Sequence, residues 1–432
     1  MKQQLEALQL AKKLSVYNVF DDNQSGEILE IALKVLGNSD TVRYSATLFN
    51  KLIGWAEKSV IPMTGNLWQN YILDLIVTAV NTFTRMAASG NLSCGDSMSR
   101  VVKAAVCEDM KKLKNIISIG FTPAAGLSDN IYLELIESDL TDQSYCSSAE
   151  APQRQILNLK KRLLKNDSWD KAADILLDFH MNSGCGPLCL FHAFLWDGKH
   201  KKLRGIPDPD PIRIENLVGY SNERGKVLMN TERILKGLPA GNILLYGDRG
   251  TGKSSTVKSL IHRYGSRGLR IIEIPKIHLA DYQLILAEIK NTCLKFILFI
   301  DDLSFEDNET EYKTLKSILD GSLQARPDNV VIYATSNRRH LVREYFEERQ
   351  SDVHSRDTLQ EKLSLSERFS VTVLFLAPDQ ELYLEMVEAL ARQKGLSIPA
   401  GELRDLALEW ERWNNGRSGR TARQFIEQLI TG

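Results

Sequence analysis

The sequence predicts an α/β fold: a parallel sheet with helices on both faces, a helical segment after it, and a separate, mostly helical N-terminal domain. Three observations carry that prediction. Five short apolar runs lie between residues 242 and 375, with helical patterns between the first four of them. A glycine-rich phosphate loop follows the first run directly. Residues 1–204 instead show the spacing of amphipathic helices.

A chain of 432 residues exceeds one ordinary domain. With 43% apolar and 25% charged residues it has the composition of a water-soluble globular protein that buries sizeable cores. A net charge of −1 argues against a constitutive, non-specific nucleic-acid binder, although it leaves room for a local basic face. The six cysteines are scattered, with Cys185 and Cys189 the only close pair, so plain thiols in a reducing compartment are the simpler reading than zinc. The N-terminus leads into a helix bearing Lys12 and Lys13 rather than an apolar signal core. Residues 67–83 form the most apolar stretch, yet Asn70, Asp74 and Asn81 interrupt it, which makes it a buried helix and not a membrane span. The expected location is cytoplasmic, with no membrane partner.

Within residues 1–204, Ser25 is expected to cap a helix over 25–36 with Glu27 in its first turn. Residues 99–117 and 168–181 show similar helical spacing. The basic runs at 159–165 (LKKRLLK) and 199–204 (KHKKLR) are read as solvated faces, with contact to a phosphate backbone as the alternative. His180 and His192 stand alone and suggest no metal site. Residues 205–216 carry Pro207, Pro209 and Pro211, each of which disfavours helix at the residue before it, and are expected to be the linker.

The apolar runs 242–247, 269–275, 295–302, 329–337 and 371–375 are the expected strands. After Pro378 three helical patterns complete the chain, giving expected domains at 217–377 and 378–432.

Residues 247–255, GDRGTGKSS, fit G-x-x-x-x-G-K-[ST] without mismatch, between a strand and a helix. Gly247, Gly250 and Gly252 let the backbone approach phosphate oxygens closely, and Thr251, Ser254 and Ser255 extend the cradle into the helix N-terminus. Lys253 is expected to reach the β- and γ-phosphates of ATP, and Ser254 to ligate Mg2+. Asp301 ends a later strand and is the expected second magnesium partner. Asp302 beside it is the candidate for polarising the attacking water. It is one methylene shorter than Glu, a loss of reach of about an ångström, and misplacement on that scale costs about a hundredfold in rate. Slow hydrolysis is the expectation, with Glu306 as an alternative helper.

These motifs, in this order, resemble the AAA+ ATPase superfamily across residues 217–430. The resemblance implies a P-loop AAA+ sheet with a C-terminal helical lid. Leu217 to Tyr220 (LVGY) resembles the segment near the adenine. YATSN resembles the strand end bearing a first sensor, on Asn337. LSERF resembles the element with an arginine finger, Arg368, offered to a neighbouring subunit, with Arg338 and Arg339 as competitors. SGRTARQF resembles a lid helix carrying a second sensor, Arg420, with Arg423 as the competitor. More narrowly, residues 205–430 resemble a bacterial AAA+ family catalogued as a domain of unknown function (DUF family eight-fifteen), which shares the Asp-Asp strand end.

The resemblance implies an oligomeric ATPase, its expected partners being further copies of the chain and an unidentified protein client. The alternatives are a regulatory switch with little hydrolysis and a nucleic-acid-associated ATPase; nucleic acid is possible but not indicated. A small-molecule kinase has no use for sensors and a finger. A threading unfoldase is also unsupported, since Tyr282 lacks the glycine such a pore loop carries. The charged stretch 340–362 is the expected subunit or client contact.

Overall fold

In a computed structural model the chain forms two compact units, Met1–His192 with Asn291–Leu294, and Ala193–Lys290 with Lys295–Gly432. The structure describes residues 2–37, 41–94, 96–121, 130–141, 151–166, 169–304, 310–320, 326–337, 367–414 and 416–431. Glu306, Arg338, Arg339 and the charged stretch 340–362 lie outside the described residues.

The first unit is helical among its described residues. Apolar faces of helices Asn23–Leu36, Leu67–Thr78, Ser97–Ile117 and Ala172–Ser183 meet in a core that includes Trp68, Phe83, Met110 and Trp169. The stretch expected to be a buried helix is one up to Thr78, and Asn81 then caps a second helix, Thr82–Ala88. One local expectation needs correcting. Asp22, not Ser25, caps the helix Asn23–Leu36, because its carboxylate accepts the N–H groups of Gln24 and Ser25. Two buried polar networks tie the unit together: Asp109 accepts the backbone N–H groups of Ser15, Val16 and Tyr17, and the Lys160 ammonium pairs with Asp74 and donates to Pro62 O. No helix among the described residues is long and apolar enough to cross a membrane.

The second unit is built on a seven-stranded sheet: β1 Ala193–Asp197, β2 Lys202–Ile206, β3 Ile243–Gly247, β4 Leu269–Glu273, β5 Lys295–Ile300, β6 Val330–Ser336 and β7 Val371–Phe375. The order is β2-β1-β4-β5-β6-β3-β7, and every pairing except β1–β2 is parallel. The five expected strands are all present. On one face Ile243, Leu245, Ile297 and Phe299 pack with Val227, Val257 and Leu260 of the helices Ser221–Leu235 and Lys253–Tyr264. Leu244, Leu298 and Ile332 alternate to the other side and are equally buried, as a sheet covered on both faces requires. Helices Gln380–Gln393, Ala400–Trp413 and Gly419–Thr431 form the lid around Tyr383, Val387, Ala407 and Phe425. The second unit is therefore an α/β sheet, parallel but for β1–β2, covered by helices on both faces and followed by three C-terminal helices, as the sequence predicts.

The β1–β2 hairpin was not expected; the sequence reads its second strand as part of a solvated basic run. Tyr282, whose neighbourhood lacks the glycine of a pore loop, is buried at the start of helix Tyr282–Ile289.

Candidate nucleotide-binding site

Parallel register decides which residues meet. Ile300 lies opposite Ala334, and Tyr246 lies opposite Ser336, so the carboxyl ends of β5, β6 and β3 stand side by side. Ligands in open α/β sheets sit at such ends, where strand order reverses. Here the next residues are Asp301, Asn337 and the phosphate loop.

The loop's shape depends on its glycines. Gly247 has φ +129°, and a Cβ there would stand 2.0 Å from Phe375 O on β7, so no side chain fits between the strands. Gly250 has φ +74°, and a Cβ there would come within 2.9 Å of Ser418 Oγ at the start of the last lid helix. The loop is braced from within: Thr251 Oγ1 donates to Asp248 O at 2.9 Å. Asp248 Oδ2 accepts the Ala377 N–H at 2.6 Å, which joins the loop to the chain entering the lid.

Lys253 opens the helix that follows and is buried. Its Nζ donates to Gly247 O at 2.9 Å and Asp248 O at 2.6 Å, so the ammonium is held inside the loop's curve. Burial lowers its pKa from the ordinary lysine value, while Asp248, Asp302 and Asp301 oppose that shift. Ser254 Oγ donates to Asp301 Oδ1 at 2.5 Å.

The acidic strand end is organised by β6. Thr335 Oγ1 donates to the same Asp301 Oδ1 at 2.6 Å and accepts the Asp302 N–H at 2.9 Å. Asn337 Nδ2 donates to Asp302 Oδ1 at 2.7 Å. Asp302 itself has φ +50°, in the left-handed region where Asp is among the better-tolerated side chains. Lys258, one helical turn beyond Ser254, brings its Nζ to 3.7 Å from Asp301 Oδ2.

Most of these groups, though not Asp248 or Lys258, line one cleft of about 640 Å³. It contains Gly250, Thr251, Gly252, Lys253, Ser254, Ser255, Asp301, Asp302 and Asn337, with Arg420 and Arg423 together on the lid side. Leu217, Val218, Met386 and Leu390 provide an apolar end. Gly247 shapes the loop from behind without lining the cleft. Arg368 does not line it either; its guanidinium pairs with Asp320 at the end of helix Thr310–Asp320.

Sequence reasoning missed three residues. Thr335 sits inside the quoted YATSN run, but only the β5–β6 register reveals its two partners. Lys258 was visible as the i+4 neighbour of Ser254. Arg224 also lines the cleft and donates to Val218 O at 3.4 Å; no local signal marks it.

A family model described as "Protein of unknown function (DUF815)" matches residues 190–432. Comparison with curated proteins gives no match. Among solved structures, the Holliday-junction branch-migration motor RuvB of Thermotoga maritima is similar at a TM-score of 0.37 and 16% identity, over 51% of this chain and 65% of that one. Two point variants of the same motor give TM-scores of 0.37 and 0.35 at 16% and 14% identity, over the same shares.

Proposed function

The chain belongs to the family described as a protein of unknown function, DUF815, and on that premise, with the geometry of the cleft, we propose that it is a slow AAA+ ATPase. It binds ATP with Mg2+, hydrolyses it, and uses the resulting lid and subunit movements to change the conformation of a macromolecular client, in the cytoplasm. One observation carries the reading: Lys253, Ser254, Asp301, Asp302 and Asn337 converge at the ends of three neighbouring parallel strands.

The donor set fits the cofactor. Ser254 Oγ and Asp301 Oδ1 are hard oxygen donors 2.5 Å apart, and Mg2+ is commonly held by one or two protein oxygens beside phosphate oxygens and water. Mg2+ held by Ser254 and Asp301 would offset charge on the phosphate oxygens.

The chain's own residues have separable roles. Lys253 turns from the loop carbonyls to the β- and γ-phosphates. Asp302 accepts a proton from the attacking water through the carboxylate oxygen that Asn337 leaves open, and Asn337 orients that carboxylate. Arg420, with Arg423 beside it, brings positive charge from the lid. Arg368 points its role outward, to the nucleotide of a neighbouring copy of the chain. The short reach of Asp302 supports slow turnover. A nucleotide-dependent switch with little hydrolysis is the second reading, and the Asn337–Asp302 bond favours it, because it engages the candidate base.

The test separates binding from turnover. Lys253→Ala should abolish tight ATP binding in isothermal titration, and Asp302→Asn should bind ATP but lose turnover. Wild-type affinity in the first variant, or wild-type turnover in the second, refutes these assignments. A wild-type chain that binds ATP and does not turn over supports the switch.

A further inference from the structure

We propose that Asp320 is a positioning residue for Arg368: it orients the guanidinium that the chain offers to a neighbouring copy. The inference rests on the reading of Arg368 as a finger acting in trans, and the closing experiment separates the failure of one from the failure of the other.

Arg368 lies out of reach of the chain's own phosphate loop. It precedes β7, and the chain there runs beside the entry to β3. Val371 N–H donates to Asn242 O at 3.1 Å, and a Cβ on Gly241 would stand 2.8 Å from Ser370 Cβ. The phosphate loop leaves the opposite end of β3, Ile243–Gly247. A strand of that length separates the two ends by about 17 Å, farther than an arginine side chain extends. A phosphate that Arg368 meets therefore belongs to another molecule.

At this end of the sheet Arg368 is held. Its Nε–H donates to Asp320 Oδ1, at the last residue of helix Thr310–Asp320. Phe369, the next residue, is buried and anchors the backbone beside it.

Stability does not explain the acid. Asp320 stands at the negative end of the helix dipole, where a carboxylate is disfavoured, and no basic residue shares its turn. Lys316 precedes it by one helical turn, but with the lysine on the N-terminal side, the weaker order for such a pair. Glu367 is exposed. The ion pair itself leaves the guanidinium 23% and the carboxylate 44% exposed, and pairs this open contribute little to folding. What Asp320 supplies is orientation. An arginine loses side-chain freedom when it docks on a phosphate. A bond at Nε sets the plane of the guanidinium beforehand, and it uses one of five N–H donors.

Turnover of single variants and of mixed subunits, at protein concentrations that saturate specific activity, is the measurement. Asp320→Ala should lower kcat about 10- to 100-fold, the scale of an ångström-sized misplacement, with the KM for ATP changed by less than about twofold. Its thermal midpoint should move by only a few degrees. Asp320→Asn, which keeps an oxygen acceptor for Nε–H, should recover part of the loss. Asp320→Ala mixed with Lys253→Ala should regain turnover, because the first supplies an intact pocket and the second an oriented finger. Asp320→Ala mixed with Arg368→Ala should not, because neither supplies one. Full turnover in Asp320→Ala, an asparagine variant no better than alanine, or no rescue by Lys253→Ala while Arg368→Ala is rescued by it, overturns the role of Asp320 and leaves the finger standing. Failure of Lys253→Ala to rescue Arg368→Ala, in assemblies shown to be mixed, removes the finger and the proposal with it.

Discussion

Thr335→Val tests how the acidic strand end is held. The substitution keeps the side chain's volume in a buried position and deletes one hydroxyl. That hydroxyl donates to Asp301 Oδ1 at 2.6 Å and accepts the Asp302 N–H at 2.9 Å, so one change releases both carboxylate residues. Leaving the N–H unpaired costs about 1–3 kcal/mol, and a hydrogen bond to a charged group contributes about 1.5–3 kcal/mol. Some of this will appear as lower stability. The part that matters here is the restraint on Asp302, whose left-handed backbone (φ +50°) depends on its neighbours to persist. If about 1.4–2.8 kcal/mol of it is expressed in the transition state, kcat falls about 10- to 100-fold. Nucleotide affinity should change little, because Lys253 and the loop are untouched. A coupled turnover assay run beside isothermal titration with ATP and Mg2+ reads both quantities. Thr335→Ser should recover most of the lost kcat. A valine variant at full turnover, or a serine variant no better than valine, would refute the positioning role.

Three other outcomes follow. Asp302→Glu should lower turnover rather than raise it, since Asn337 is set 2.7 Å from the shorter carboxylate and the left-handed backbone suits Asp better than Glu; a faster enzyme in the same coupled assay would refute this. Specific activity should rise with protein concentration, and mixtures of Arg368→Ala with Lys253→Ala should regain turnover that neither has alone; absence of rescue in demonstrably mixed assemblies removes Arg368 as a finger acting in trans. His180 is fully buried, and burial lowers its pKa from 6.5 to about 4, so the unfolded chain takes up its proton first as pH falls. The stability tied to the neutral ring is complete above pH 6.5 and is lost progressively towards pH 4, to a total of about 3 kcal/mol; thermal melts of His180→Gln that keep the same acid sensitivity as wild type would contradict that.

The sheet was legible because each strand is a near-continuous apolar run with a clear stop: Gly247, Asp301 and Asn337 all mark strand ends. The loop was legible because its spacing is set by phosphate geometry. What stayed hidden depends on partners far apart in sequence. Thr335 looks like an ordinary β-former, and its function as a clamp exists only through the β5–β6 register. Arg224 reaches the cleft only because the chain turns through two positive-φ residues, Gly219 and Tyr220, before its helix. The β1–β2 hairpin was obscured by its own chemistry, since a five-residue edge strand bearing Lys202 and Arg204 has almost no apolar pattern to betray it. Asp22 displaced Ser25 as the cap because the helix starts two residues earlier, at Asn23, so the first free N–H groups are those of Gln24 and Ser25, which the Asp22 carboxylate reaches.

If the cleft holds a nucleotide as proposed, packed contacts link its phosphate loop to the lid. In this structure the Lys253 ammonium occupies the carbonyls of Gly247 and Asp248. A phosphate that draws the ammonium away would free the Asp248 carbonyl that it holds. That residue's carboxylate holds the Ala377 N–H, immediately ahead of the lid, and Tyr220 O–H anchors the preceding carbonyl, Leu376 O, at 2.5 Å. On the opposite side of the loop, Gly250 has no room for a Cβ against Ser418, and a Cβ on Gly419 would stand 3.1 Å from Gly250 O. The lid is thus touched by the phosphate loop at both its entry and its last helix. Closely packed contacts of this kind transmit small displacements because neither side can yield without repacking. Arg420 and Arg423 ride on that same last helix, so a lid shift driven by the loop would also reset the positive charge facing the phosphates. Under the proposed function, binding and lid position would be two readings of one equilibrium, and a client that favours one lid position would by reciprocity change the affinity for nucleotide.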